Sequence, residues 1–379
     1  MQYFFGVEIE LIASPQSIQH PLLRRAYYQK LAESLQSYGL RSVADRLDGS
    51  RYRKHPEHYN VWWITKDGSL GDPEHPRIPL EAVSPIIGTY NYWESDIDTF
   101  WRAYKEVFRM PDPSRLCGCH VHVSPSPNKV FNIYQLQCIA FGVIFFEPHV
   151  ESILPRYRRE NKYCLKNSMR SQAIQHMGSG DRYALKRIKN HIFNNLHTAQ
   201  ALRDFMQGGP DSRKDRYVLW NFDNTCSGRS GSVEFRGGRG LRGPVRTKRW
   251  ISFVLAFIHL CLTRHWHGYF NSGCRRPSTN KFWKKIRKAA KSIRVKQNLP
   301  SDWRVMTESY SVFSYHDMAS ALDDSDAKSD TDSDYSSDSG RGGAGSGDEH
   351  SMYSYSASDY DDSSSFMSKG ESTYSDSDY

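Results

Sequence analysis

The stretch Phe5-Gly6-Val7-Glu8-Ile9-Glu10-Leu11 sets two carboxylates in strict alternation with large apolar residues. On a strand, successive side chains point to opposite faces, so Phe5, Val7, Ile9 and Leu11 line one side while Glu8 and Glu10 line the other. The pattern recurs twice. His120, His122 and Ser124 alternate with Val121 and Val123, and Glu234 and Arg236 alternate with Val233 and Phe235. Each of the three segments combines a packing side with an acid or imidazole side. A single such strand reads as an ordinary antiparallel strand with a solvated face, but three together point to a shared polar surface.

Glutamates placed side by side on a sheet repel one another and raise each other's pKa unless a cation neutralises them. Glutamate and histidine on one face suit a divalent metal, and an oxygen-rich set favours Mg²⁺ or Mn²⁺ over zinc. Cys117 and Cys119 form the closest cysteine pair among seven, and no second pair at zinc-finger spacing follows. The odd cysteine count in a long chain predicts mostly reduced thiols and a cytoplasmic or nuclear setting.

The 379 residues carry a net charge of +9 that conceals a split. Residues 323–379 hold 15 Asp/Glu against Lys328, Arg341 and Lys369, a net of −12, which leaves residues 1–322 at +21. A body of that sign attracts polyphosphates, nucleic acid or its own acidic tail. Beyond Asp323 the chain is Ser, Asp, Gly and Tyr with scarcely any aliphatic residues, a composition that predicts disorder. A strand-like pattern already starts by Tyr3, without a basic-apolar leader. The longest apolar runs, Ile139–Phe146 and Ile251–Leu262, fall short of a bilayer span, so neither secretion nor a membrane partner is expected.

Helical periodicity is expected over Pro21–Asp48, Trp93–Met110, Asn132–Leu154, Asp181–Gln207 and Thr247–Phe270. Strands are expected at Phe5–Leu11, Tyr59–Thr65, Pro76–Ile87, Gly118–Ser124, Arg216–Asn221 and Gly231–Gly237. That is an α+β fold of about six strands, mainly antiparallel, with helices on one face. Arg275–Lys296 interleaves ten Lys/Arg with Phe282, Trp283, Ile286, Ala290 and Ile293. It reads either as a helix docked by its aromatic stripe or as a nucleic-acid, membrane-surface or nuclear-import element. The organisation expected is a catalytic domain over 1–270, a basic helical extension over 271–322 and a disordered acidic tail over 323–379.

Five motifs in order, Phe5-Gly-Val-Glu-Ile-Glu10, Lys66-Asp-Gly-Ser-Leu70, Glu81-Ala-Val-Ser-Pro85, Cys117-Gly-Cys-His-Val-His-Val123 and Ser232-Val-Glu-Phe-Arg236, resemble those of the amidoligase family across about residues 2–270. That family is similar to glutamine synthetase and the glutamate–cysteine ligases. The resemblance implies a glutamine synthetase-like catalytic domain, with a curved antiparallel sheet over the active site. It implies ATP-dependent phosphorylation of a carboxylate, then displacement of the phosphate by an amine. Two or three Mg²⁺ ions (Mn²⁺ as a substitute) would be held by Glu8, Glu10, Glu81, His120 and Glu234, and Arg236 would bind the transferred phosphoryl group. His122 would shape the substrate pocket. Arg156, Asn161, Arg216 and Asn221 stand where the family carries substrate-recognising Arg and Asn. The substrates implied are a carboxylate and an amine, on a small molecule, a peptide or a protein side chain.

The glycines of Arg236-Gly-Gly-Arg-Gly-Leu-Arg-Gly243 are expected to admit a phosphate close to the backbone, with Arg239 and Arg242 adding charge. Asp67 either holds a turn or positions and deprotonates the incoming amine. Two other functions compete with a ligase. One is a metal-dependent hydrolase built on His-x-His with glutamates. The other is a non-enzymatic nucleic-acid binder using the basic body.

Overall fold

The computed structural model describes residues 2–18, 23–45, 59–112, 114–178, 183–209, 215–266 and 276–307, all within a compact unit spanning 1–313. The acidic tail expected over 323–379 lies outside the described residues, as do the ends of several expected helices.

The chain forms a mixed α/β structure around an open eight-stranded sheet. Strand β1 (Phe4–Ala13) is central, with β4 (Ile78–Val83) on one side and β6 (Gly118–Ser124) on the other, both antiparallel to it. Beyond β4 lie β3 (Trp62–Thr65) and β2 (Ser42–Ala44), and β2 is parallel to β3. Beyond β6 lie β8 (Val233–Arg239) and β7 (Trp220–Asn221), while the two-residue β5 (Ile87–Gly88) pairs with the start of β1. The count of six expected from alternation is therefore too low. Strand β2 sits inside the stretch read as one helix, and β5 is too short to show a period.

That helix is α1 (Arg24–Ser37), which stops before Gly39, a residue with φ of +84° that favours glycine. The long helix expected over Asp181–Gln207 is two, α7 (Ala184–Asn195) and α8 (Ala199–Gln207). The break falls at Thr198, whose hydroxyl caps α8 by accepting from the Ala201 amide.

Phe5, Val7, Ile9 and Leu11 point into the apolar core with Leu80 and Ala82 of β4, Val121 and Val123 of β6, and Phe235 of β8. Behind this face lie α2 (Trp93–Val107), α3 (Ile133–Ile153) and α9 (Pro244–Thr263), with α1 alongside. Aromatic contacts join the layers: Trp62 stacks on Phe100, Phe5 meets Trp93 edge-on, and Phe235 stacks on Trp250. Helix α3 opens with a reciprocal capping box between Asn132 and Gln135. It is long and apolar enough to cross a membrane by length and composition, yet 83% of its most apolar window is buried inside the fold. Of the short helices α4 (Arg156–Arg159), α5 (Asn167–Arg170) and α6 (Gln172–Gly178), the first reaches the opposite, acid-bearing face of the sheet through Arg158.

Helix α10 (Thr279–Ser292) packs on α9 and α3, one layer further from the sheet, followed by α11 (Arg304–Thr307). Its Phe282 and Trp283 are buried, Phe282 stacking on His149 and Trp283 on Phe253.

Candidate active site

Strand register assembles the polar face. Glu8 lies opposite His120, Glu10 opposite Glu81, and Glu234 opposite both His122 and Asn221. Alternation turns these side chains away from the apolar core, so five strands, β1, β4, β6, β7 and β8, contribute to one cluster. His120 Nδ1 is 2.7 Å from Glu8 Oε2 and its Nε2 is 3.4 Å from Glu10 Oε1. His122 Nε2 is 2.9 Å from Glu8 Oε1, and both imidazoles come within 4 Å of Glu234 Oε1. Arg236 Nη1 donates to Glu234 Oε1 at 2.5 Å.

The cluster carries more negative charge than its own cations balance. Burial alone would push the Glu8 carboxyl up, but the charges and hydrogen bonds of His122 and His120 hold it well below the usual range. Glu234 behaves likewise: Arg236 and His122 overcome burial and depress it. Glu10 is raised by burial despite His120. Glu81 is raised well above the ordinary value by burial and by the charges of Glu8, Asp67 and Glu10. Burial would lower His122, yet Glu8 and Glu234 raise it. Two of the four glutamates therefore retain protons more readily than a free carboxylate does, which a divalent cation in their midst would reverse.

The donor set fits such an ion. Glu8, His122 and Glu234 each offer an atom within 4.8 Å of the others. Glu10 and Glu81 add carboxylates on the neighbouring register pair, an oxygen-rich mixture suited to Mg²⁺ or Mn²⁺. His122, placed in the substrate pocket by resemblance, thus stands as close to this cluster as His120 does. Its Nδ1 is held by Ser232 Oγ at 3.2 Å.

The remaining sequence candidates separate. Asn221 joins the site, its Nδ2 donating to Glu234 Oε2 at 2.8 Å. Asp67 caps the turn at Gly68–Leu70 by accepting from the Ser69 amide, and its charge is also felt by Glu10 and Glu81. Arg156 does not reach the cluster: it is a surface residue, 86% exposed, paired with Glu160. Asn161 accepts from the Tyr163 amide in a local turn, and exposed Arg216 lies over the Tyr217 ring. Arg239 is buried and lines a small pocket with Arg246, Arg249 and Trp250 of α9 and Val305 and Met306 of α11, and Arg242 is half-buried just before α9.

The glycines of this loop also serve another purpose than the one expected. Between Cys119↔Gly238 and Val121↔Phe235, β8 spends one residue more than β6, a bulge that turns the strand. A Cβ on Gly238 would meet the Cys119 carbonyl oxygen at 2.4 Å, and one on Gly237 the Leu219 side chain at 2.5 Å. The chain here approaches other protein atoms. Cys117 and Cys119 belong to separate apolar clusters, which argues against a shared zinc.

Sequence reasoning missed Arg158. It is 2% exposed, its Nη2 donates to the Arg236 carbonyl, and its guanidinium borders the Glu10 carboxylate beside Gly118. Three arginines follow Pro155 in a four-residue helix, and only the docked orientation of that helix distinguishes the buried one. Gln207 was missed as well. Its Nε2 donates to Asn221 Oδ1 at 2.8 Å while its Oε1 accepts from the Phe222 amide, so Glu234 is held through Asn221 by a fully buried amide. Gln207→Met is expected to destabilise the fold by about 2–3 kcal/mol, because it removes partners from buried polar groups. Thermal unfolding measures this, and a change within experimental error would contradict the support assigned to Gln207.

A family model described as "Putative amidoligase enzyme" matches residues 2–258. No curated protein matches the chain significantly.

Proposed function

The chain belongs to that amidoligase family, and from this premise we propose that it joins a carboxylate to an amine at the expense of ATP, with Mg²⁺ or Mn²⁺ as cofactor and an acyl phosphate between the two half-reactions. The observation that carries the proposal is the convergence of Glu8, Glu10, Glu81 and Glu234 with two imidazoles and the half-buried Arg236 on one face of the sheet. Glu8, Glu10, Glu81, His120 and Glu234 would hold the metal, with His122 beside them. The bound ion supplies charge neutralisation and alignment of the phosphate oxygens.

The first half-reaction needs a substrate carboxylate oxygen to attack the γ-phosphorus while ADP departs. Arg236 provides a guanidinium whose geometry matches phosphoryl oxygens, and Glu234 fixes its orientation. In the second, the amine nitrogen attacks the acyl carbon, phosphate leaves and the amine gives up a proton. Asp67, anchored through one oxygen to the Ser69 amide, is the assigned acceptor of that proton. Arg158, by bonding the Arg236 carbonyl, keeps β8 in place behind the bulge.

ATP analogue and Mg²⁺ added together are expected to raise the thermal midpoint by several degrees, and neither alone to reproduce the effect. ADP release screened over carboxylate and amine libraries identifies the substrates. A midpoint that stays put with both ligands present, together with no ADP release from any pair, rejects the proposal.

A further inference from the structure

Helix α10 has two opposed faces. The apolar one, with Phe282, Trp283, Ile286 and Ala290, is wholly buried against α3 and α9. The other presents Lys281, Lys284, Lys285, Lys288 and Lys291, all exposed. No acidic residue occurs anywhere in residues 276–301. None of these five ammonium groups forms an ion pair among the described residues, although Lys248 of neighbouring α9 pairs with Asp98.

The arrangement runs against helix electrostatics. Lys281/Lys285 and Lys284/Lys288 are like-charge pairs one turn apart, and the first turn carries no acid to meet the positive end of the helix dipole. A helix needing only solubility would intersperse acids. We propose that this row is a docking surface for the phosphate backbone of a nucleic acid. It lies on the side of the molecule away from the acid cluster and is independent of the ligase chemistry.

Three features select that partner. Stable anchoring on a bilayer takes an apolar contact beside the lysines, and the aromatic stripe is buried in the fold. A protein partner would want aromatic or arginine anchors, whereas lysine is depleted from protein interfaces. Flexible point charges without base-reading side chains suit phosphates and predict binding without sequence preference. Lys281 to Lys291 covers about 15 Å of helix axis, enough to face about four phosphates of one strand.

The test uses the full chain and fluorescein-labelled oligonucleotides, a 20-base-pair duplex and a 20-nucleotide single strand, titrated from 50 to 200 mM salt. The expected dependence of log K on log salt is a slope of about −3 to −5. The triple substitution Lys284→Glu, Lys285→Glu, Lys288→Glu is expected to weaken binding at least tenfold and to reduce the slope by about 2 to 3. The corresponding Lys→Gln triple should weaken it less, and a matching melting curve verifies that α10 stays docked. Three results would overturn the proposal: no binding of either oligonucleotide at 50 mM salt, binding unchanged by the triple substitutions, or retention on phosphatidylserine vesicles without retention on oligonucleotides.

Discussion

Arg236→Ala should lower ADP release about a hundred- to a thousandfold while leaving the melting curve cooperative. Arg236 is half-buried among Glu234, Glu8 and Glu10, whose charges raise its pKa beyond the ordinary value despite the desolvation, so it stays a cation through any working pH. A fixed guanidinium aimed at developing phosphoryl charge in a site of low dielectric is worth about 3–4 kcal/mol, and its loss also frees Glu234 from its principal counter-charge. Arg236→Lys keeps the charge but loses the fork and should fall between the two, recovering part of the rate. ADP release at saturating ATP and Mg²⁺ is the measurement. A rate within tenfold of the parent protein's in Arg236→Ala would place phosphoryl stabilisation elsewhere.

Glu81→Gln should have opposite effects on the metal-free and the ligand-bound protein. Glu81 faces Glu10 across β1 and β4, and its folded-state pKa stands well above the ordinary 4.5. For a carboxyl raised in this way, the stability it contributes is complete below the unfolded value and is lost as pH climbs through the folded one. In chelator, the midpoint of the parent protein should therefore decline relative to Glu81→Gln as pH rises from about 5 to 8, and at pH 8 the variant should melt a few degrees higher. With ATP analogue and Mg²⁺ present the order should reverse, because the variant has lost a ligand oxygen. Melting curves across that pH range decide it. A variant less stable than the parent in chelator at pH 8, or one fully stabilised by ATP analogue and Mg²⁺, would remove Glu81 from the metal set.

The first prediction concerns a residue that alternation had placed on a polar strand face, the second a residue that the family resemblance had put in the metal set. Glu8, Glu10, His120, His122, Glu234 and Arg236 are legible because a period of two needs no knowledge of partners. Glu81 lies in the strand expected at Pro76–Ile87, but its place in the metal set came from the family resemblance, and its position opposite Glu10 from the fold. The second group of candidates, Arg156, Asn161, Arg216 and Asn221, carries no such period, and only Asn221 reaches the cluster. Arg158 and Gln207 give no signal at all, since both lie on helices whose rotation about their own axes is set by docking. The loop glycines were read as an opening for phosphate, but close approach of two protein segments demands the same residue type.

Local sequence thus determined which strands have a chemical side, which residues occupy it, and that acids would crowd there with imidazoles, because each of these follows from stereochemistry within a single strand. Tertiary structure alone decided that Glu10 meets Glu81, that Glu8 sits between two histidines, and that a bulge at Arg236 and Gly237 offsets β8 against β6. Register is a relation between strands far apart in the chain. It is chosen by the packing of the opposite, apolar face, where a slip of one residue would turn the carboxylates into the apolar core and put Val7 and Ile9 on the polar face.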